Sequence, residues 1–315
     1  MRAVDWHLLA RADTQPVADM DVALSPAAWR EREAAHHARV DALLAGHLAR
    51  AGHGEKHPVE DFLFTYYSYR PAQLRRWHPG AGVVLAGAGE RAGWRDHLEV
   101  DLAGGGRGVA VDVRAFAARR GEALAHVRAL LAATASRPAQ LGCFGLHEWA
   151  MVYRQAPDAV RHAGWPLRLG TAGTDAVVEA HRIRCSHFDA YRFFTPAAAP
   201  RNALRPTRVD TVALEQPGCL HATMDLYKWA YQLTPAVPSE LVVDAFELAR
   251  DVRVLDMRAS PYDLSALGYE PVRIETPDGR SEYVAAQRGF AERGAALRTR
   301  LLEALDRSNR EESEQ

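Results

Sequence analysis

The sequence predicts a helix-rich α+β fold, mainly helices with a few short antiparallel hairpins. Three observations predict it. Apolar residues recur at helical spacing over long stretches, from Trp29 to Leu44, from Phe116 to Thr134 and from Ala285 to Arg307. Strand-like alternation is confined to short runs beside turn residues, such as His97 to Leu102 and Gly108 to Val113. Those runs do not alternate regularly with helices, as a doubly wound parallel sheet requires.

Residues 1–24 show no period and read as a loosely packed arm. Ser25-Pro26 opens the first helix, with Ser25 as N-cap and Pro26 at the first helical position, and Gly52 and Gly54 stop it. A second helix covers Val59 to Tyr69. Its Phe62, Phe64, Tyr66, Tyr67 and Tyr69 form the densest aromatic cluster in the chain. Pro71 ends it, and a short helical piece leads to Trp77. The stretch GAGERAG, Gly87 to Gly93, lacks the Gly-Lys-Ser/Thr ending of a phosphate loop and the third glycine of a dinucleotide fingerprint. His97–Leu102 and Gly108–Val113 form a hairpin around Gly104-Gly105-Gly106. Cys143 to Arg154 is a shorter helix, Asp175 to Ala180 another, and Arg182 to Phe194 a strand. Residues 195–211, punctuated by Pro196, Pro200 and Pro206, are a loop. Pro217 to Leu233 is a helix, and Ser239 caps another that ends near Val254. Pro271 to Thr276 and Ser281 to Val284 flank Pro277-Asp278-Gly279-Arg280 as a hairpin turn. Ala285 to Arg307 is the final helix, and Ser308 to Gln315 a disordered polar tail.

The organisation is therefore an arm, 1–24, one globular domain, 25–307, and a tail, 308–315; a division into two subdomains, 25–140 and 141–307, stays open. A chain of 315 residues can bury a large core without disulfides or a structural metal. Its 39 basic and 40 acidic side chains nearly cancel. That excludes a generally basic nucleic-acid binder, though not a local basic groove, and argues against a polybasic membrane anchor. No apolar run approaches the ~20 residues of a membrane span. Met1 to Met20 carries Asp5, Asp13 and Asp19 and no apolar signal core, so the expected location is cytoplasmic, with no membrane partner. Three cysteines, an odd number, make no disulfide framework. Among the basic residues only Lys56 and Lys228 are lysines, and so strong an arginine bias marks Lys228 as a pointer to chemistry or to a tight contact.

Each cysteine has a histidine shortly after it: Cys143 and His147, Cys185 and His187, Cys219 and His221. His181 lies four before Cys185. Cys and His are ligand types that zinc and iron prefer. In an extended 181–193 segment His181, Ile183, Cys185, His187, Asp189, Tyr191 and Phe193 share one face. Arg182, Arg184, Ser186, Phe188, Ala190 and Arg192 share the other. This suits a pocket wall with Asp189 or His187 as general base, backed by an anion-binding arginine face. In the helix 217–233, His221, Asp225, Lys228 and Trp229 fall on one face of an otherwise apolar element, and a buried polar face must be paired or functional. In 142–154, His147-Glu148 sits among Phe144, Leu146, Trp149, Met151 and Val152, where a carboxyl group is pushed toward its protonated form. Finally Tyr66, Tyr67, Tyr69, Arg70, Arg75, Arg76, Trp77 and His78 interleave aromatic and basic groups, a pattern compatible with base stacking or with a core helix and a basic turn.

The stretches EKHPVEDFLFTYYSYRPAQLRRWHPG, GCFGLHEWAMVYR, HRIRCSHFDAYRFFTP, EQPGCLHATMDLYKWAYQL and LDMRASPYDL together resemble a family of actinobacterial proteins labelled 3-methyladenine DNA glycosylase. The resemblance implies a DNA partner, no cofactor, and excision of alkylated purines. That chemistry needs an aromatic base pocket and a carboxylate that orients water or stabilises an oxocarbenium-like sugar. The chain offers Trp149, Tyr191, Phe193 and Trp229 for the pocket and Glu148, Asp189 or Asp225 for the carboxylate. Lys228 and His221 are further catalytic candidates, and Arg182 and Arg184 would contact substrate. The rival reading is a zinc or non-haem iron enzyme acting on a small molecule, with His147, His181, His187 and His221 as metal ligands and Asp189 and Asp225 beside them. A third is a binding protein whose His/Asp face holds a ligand without chemistry.

Overall fold

The computed structural model describes residues 22–155 and 164–313, the last six of these by their backbone alone. The fold is helix-rich α+β, as the sequence predicts. Strand β1 (Val22–Leu24) leads into α1 (Pro26–Gly52), which starts where Ser25 Oγ accepts from the Ala28 N–H at 3.3 Å. Trp29, Val40 and Leu44 of α1 are buried along one stripe. Two short helices follow, α2 (Phe62–Tyr66) and α3 (Pro71–Arg75), then strands β2 (Val83–Ala86), β3 (His97–Asp101) and β4 (Arg107–Val111). The sheet order is β1-β2-β4-β3. The β3–β4 hairpin is as expected, with Gly105 and Gly106 supplying the positive φ of its turn. The sheet is not purely antiparallel, because β1 pairs parallel with β2. Val22–Leu24, expected within the arm, are thus a strand of this sheet, and residues 1–21 of the expected arm lie outside the described residues.

Helix α4 (Val113–Ala135) is capped by the Asp112 carboxylate at 2.8 Å from the Ala115 N–H. The second half holds α5 (Leu146–Ala150), α6 (Gly170–Ala180), α7 (Phe188–Tyr191), α8 (Thr211–Leu214), α9 (Leu220–Met224), α10 (Leu226–Gln232), α11 (Ser239–Arg258) and α12 (Pro277–Ser313). Helix α11 is the spine, packed by α9, α10 and α12 and buried along most of its length. The largest hydrophobic cluster runs from Val40 through Phe116 and Trp149 to Leu305, drawing on both halves of the chain.

Several expectations fail, each for a local reason. The strand expected over Arg182–Phe194 does not form. Ile183 makes a lone bridge to Asn202, and α7 follows. Asn202 meets the need a neighbouring strand would have met: its Oδ1 accepts from the Cys185 N–H at 2.7 Å, and its Nδ2 donates to the Cys185 carbonyl at 2.9 Å. The hairpin expected around Pro277-Asp278-Gly279-Arg280 is instead the first turn of α12. Thr276 Oγ1 accepts from the Gly279 N–H at 3.1 Å and Pro277 stands at the helix start, so the same residues read as a cap. The second helix is only α2, because Tyr67 turns extended. The helix expected over Cys143–Arg154 narrows to α5, entered through left-handed Phe144 and Gly145. The helix expected over Pro217–Leu233 is interrupted at Asp225, the hinge of α9 and α10. Ser239 does not cap α11. It is the first helical residue, and its hydroxyl accepts from the His78 N–H at 2.9 Å and donates to the Arg76 carbonyl at 3.2 Å. The tail expected from Ser308 continues as helix to Ser313, and residues 314–315 lie outside the described residues.

Candidate metal centre

Four elements converge on one buried polar site. Helix α11 brings Arg253 and Asp256, α5 brings His147 and Glu148, α9 brings His221, and the segment before α7 brings His187. Asp256 Oδ1 lies 2.8 Å from His147 Nε2, and Asp256 Oδ2 accepts from Arg253 at 2.9 Å. Arg253 also donates to Glu148 Oε1 at 3.2 Å. The His221 ring stands perpendicular to His147, with centroids 4.4 Å apart, and lies 5.3 Å from His187. On its far side His187 Nε2 is 3.4 Å from Asp225 Oδ2 and 3.5 Å from Glu215 Oε1. Tyr67 donates its hydroxyl to Asp225 Oδ1 at 2.7 Å. Lys228 Nζ bridges Asp225 at 3.5 Å and Asp189 at 3.4 Å. Two sets of ligand atoms, His147/His221/Asp256 and His187/Glu215/Asp225, each lie within 4.8 Å of one another, as a metal ion's ligands do.

The three Cys–His pairs noticed in the sequence meet here. Cys143, Cys185 and Cys219 line, with His147 and His221, a narrow cavity of about 10 Å³, room for one water-sized occupant. Cys143, Arg184 and Gln216 also line an adjoining open vestibule of about 690 Å³, together with Phe144, His181 and Arg182. Among the described residues no carboxylate lines that vestibule.

Burial disfavours charge on every member, and the partners decide which keep it. Against that burial, Asp256 holds His147 well above the usual histidine range, so this pair is an ion pair. Burial and the neighbouring His147 hold His221 well below that range, which keeps it neutral, the form in which imidazole binds a metal. Although burial opposes it, His187 and Lys228 hold Asp225 ionised far into acid. Burial pushes the Glu215 carboxyl up to about 7, with His187 restraining the rise and Asp225 adding to it. Burial and Asp256 also raise Glu148, as its apolar surroundings predict.

The other expected residues are spread. Trp149 is fully buried, with its indole N–H donating to the Ala259 carbonyl at 2.9 Å. Trp229 is buried beneath Lys228, whose Nζ sits 4.4 Å from the ring centre. Tyr191 and Phe193 are half-buried around α7, and Phe193 packs under Arg192. None of these four lines the vestibule. Asp189 is tied to Arg192 at 3.0 Å. His181 lies at the vestibule wall, not with the other histidines; its Nδ1 donates to the Val177 carbonyl at 2.7 Å. The aromatic–basic run divides: Tyr67 serves Asp225, Arg75 pairs with Asp41, and Tyr69, Arg76 and His78 line a separate cleft of about 770 Å³. GAGERAG forms a 3-10 turn whose Arg91 is buried against Glu33, Trp29 and Trp77.

The chain matches no family model, no curated protein and no solved structure. Asp256, Arg253 and Glu215 did not stand out in the sequence. Asp256 and Glu215 lie within LDMRASPYDL and EQPGCLHATMDLYKWAYQL, but Arg253 and Asp256, three apart on a helix, look like a solvated pair until α11 is known to be central.

Proposed function

We propose that this protein is a metal-dependent enzyme acting on a small anionic molecule, with the metal held at His147 and His221 and the substrate admitted through the vestibule. The observation that carries the reading is the convergence of three histidines and three carboxylates on one buried site beneath an open vestibule. Asp256 bonded to His147 Nε2 is the arrangement by which a carboxylate orients a metal-binding imidazole and leaves its other nitrogen for the ion. A bound zinc or iron ion would supply Lewis-acid activation of a substrate or water. Arg182 and Arg184, which share the vestibule wall with no acid among the described residues, favour a carboxylate- or phosphate-bearing substrate. Glu215, poised near neutral pH and one histidine away, can take or give a proton.

Elemental analysis of untagged protein tests this. About one transition-metal ion per chain is expected, and it is lost in His221→Ala. A metal content at background in the wild-type protein rejects the reading.

A second reading, base excision from alkylated DNA, draws on the arginines and Phe144 at the vestibule and on Asp225, which stays ionised as an oxocarbenium partner must. Release of methylated purine from DNA, abolished in Asp225→Asn, would favour it over the metal-dependent one.

A further inference from the structure

Cys143 is the cysteine that faces both compartments. It belongs to the narrow cavity with His147 and His221, and also to the vestibule wall. Its Sγ lies 3.9 Å from His147 Nδ1, the nitrogen that Asp256 leaves free. That is long for a hydrogen bond. It is close to the separation of two ligands on one tetrahedral zinc: a sulfur at about 2.3 Å and a nitrogen at about 2.1 Å stand about 3.6 Å apart. Cys185 differs. Its thiol is within 3.6 Å of the His187 carbonyl, to which it donates.

We infer that Cys143 is a thiolate ligand, and that Cys143, His147 and His221 form a three-ligand site for a thiophilic divalent metal, with a fourth position toward the vestibule. This rests on the metal-dependent reading and specifies it, selecting zinc-class chemistry over an all-nitrogen-and-oxygen iron site. Binding releases two protons to solvent, that of the Cys143 thiol as the sulfur–metal bond forms and that of His147 Nδ1 as the nitrogen–metal bond forms, while Nε2–H stays donated to Asp256, with no change of oxidation state. Three protein ligands and one open position are the pattern of catalytic rather than structural zinc. The vestibule gives that fourth position a route to substrate.

Cobalt(II) reports sulfur ligation directly, through an intense near-ultraviolet sulfur-to-metal charge-transfer band. The full chain, stripped with chelator and titrated with cobalt chloride, is expected to bind about one ion and show that band. In Cys143→Ser the band disappears and zinc affinity falls by at least about 10-fold. In Cys185→Ser the band persists. Circular dichroism of each variant, with Cys143→Ala as a second replacement, separates loss of a ligand from loss of fold. Cobalt bound without the band, or a band that survives in folded Cys143→Ser, overturns the thiolate assignment and leaves the metal-dependent reading standing. Absence of cobalt binding overturns both.

Discussion

Asp256 is wholly buried, yet it carries charge because His147 and Arg253 take one oxygen each. Taking a charge from such a network strands the partner without solvent. Asp256→Asn is therefore expected to cost about 3–5 kcal/mol of stability, read from urea unfolding. Glu215 works the other way. Its folded carboxyl titrates near 7, above the ordinary value of 4.5, so the folded state holds a proton the unfolded chain has released. This penalty is absent below the ordinary value, grows as pH rises to about 7 and is constant above. Glu215→Gln should thus gain stability relative to wild type between pH 5 and pH 8. Equal differences at the two pH values, measured in chelator, would refute this. At this scale the sequence showed the titratable types. Glu148 was legible as a carboxyl in apolar surroundings, but its partner is Arg253, 105 residues away.

Among the elements, those whose boundaries are written locally were the readable ones. Ser25 and Pro26 start α1, and the 97–111 hairpin closes on its glycines. Segments that could satisfy two rules were misread. Alternation over 181–193 meets the strand pattern, but the hydrogen bonds there come from Asn202, so His187 turns into the centre while Arg182 and Arg184 remain exposed. Thr276-Pro277-Asp278-Gly279 suits a turn or a helix start, and α12's packing on α11 selects the helix. Gly218 sets another element in place. A Cβ there would stand 2.6 Å from the Gln140 carbonyl oxygen, so the chain before Cys219 lies directly on the vestibule loop. Gly218→Ala should lose about 1–3 kcal/mol, seen as a lower unfolding midpoint, and should weaken metal binding by displacing α9. Unchanged midpoint and metal content would show that the contact relaxes freely.

Over the whole molecule, α12 closes the core. Leu297, Leu301 and Leu305 are buried in the main cluster. Removing residues 295–315 takes away three side chains worth about 1.5–3 kcal/mol each. That rivals the about 5–15 kcal/mol by which a domain is stable. The truncated chain is expected to lose its cooperative thermal transition by circular dichroism. Caps, periodicity and spacing act over a few residues, so the helix-rich class, the starts of α1 and α3, the lack of long apolar spans and the pairing of each cysteine with a histidine were legible before any fold was known. Only the tertiary structure decided that those three pairs meet, that Asp256 and Glu215 join them, and that Trp149 and Trp229 do not line the vestibule. Those outcomes depend on which faces α5, α9 and α11 turn toward one another, and that is set by packing residues 74 to 110 positions apart.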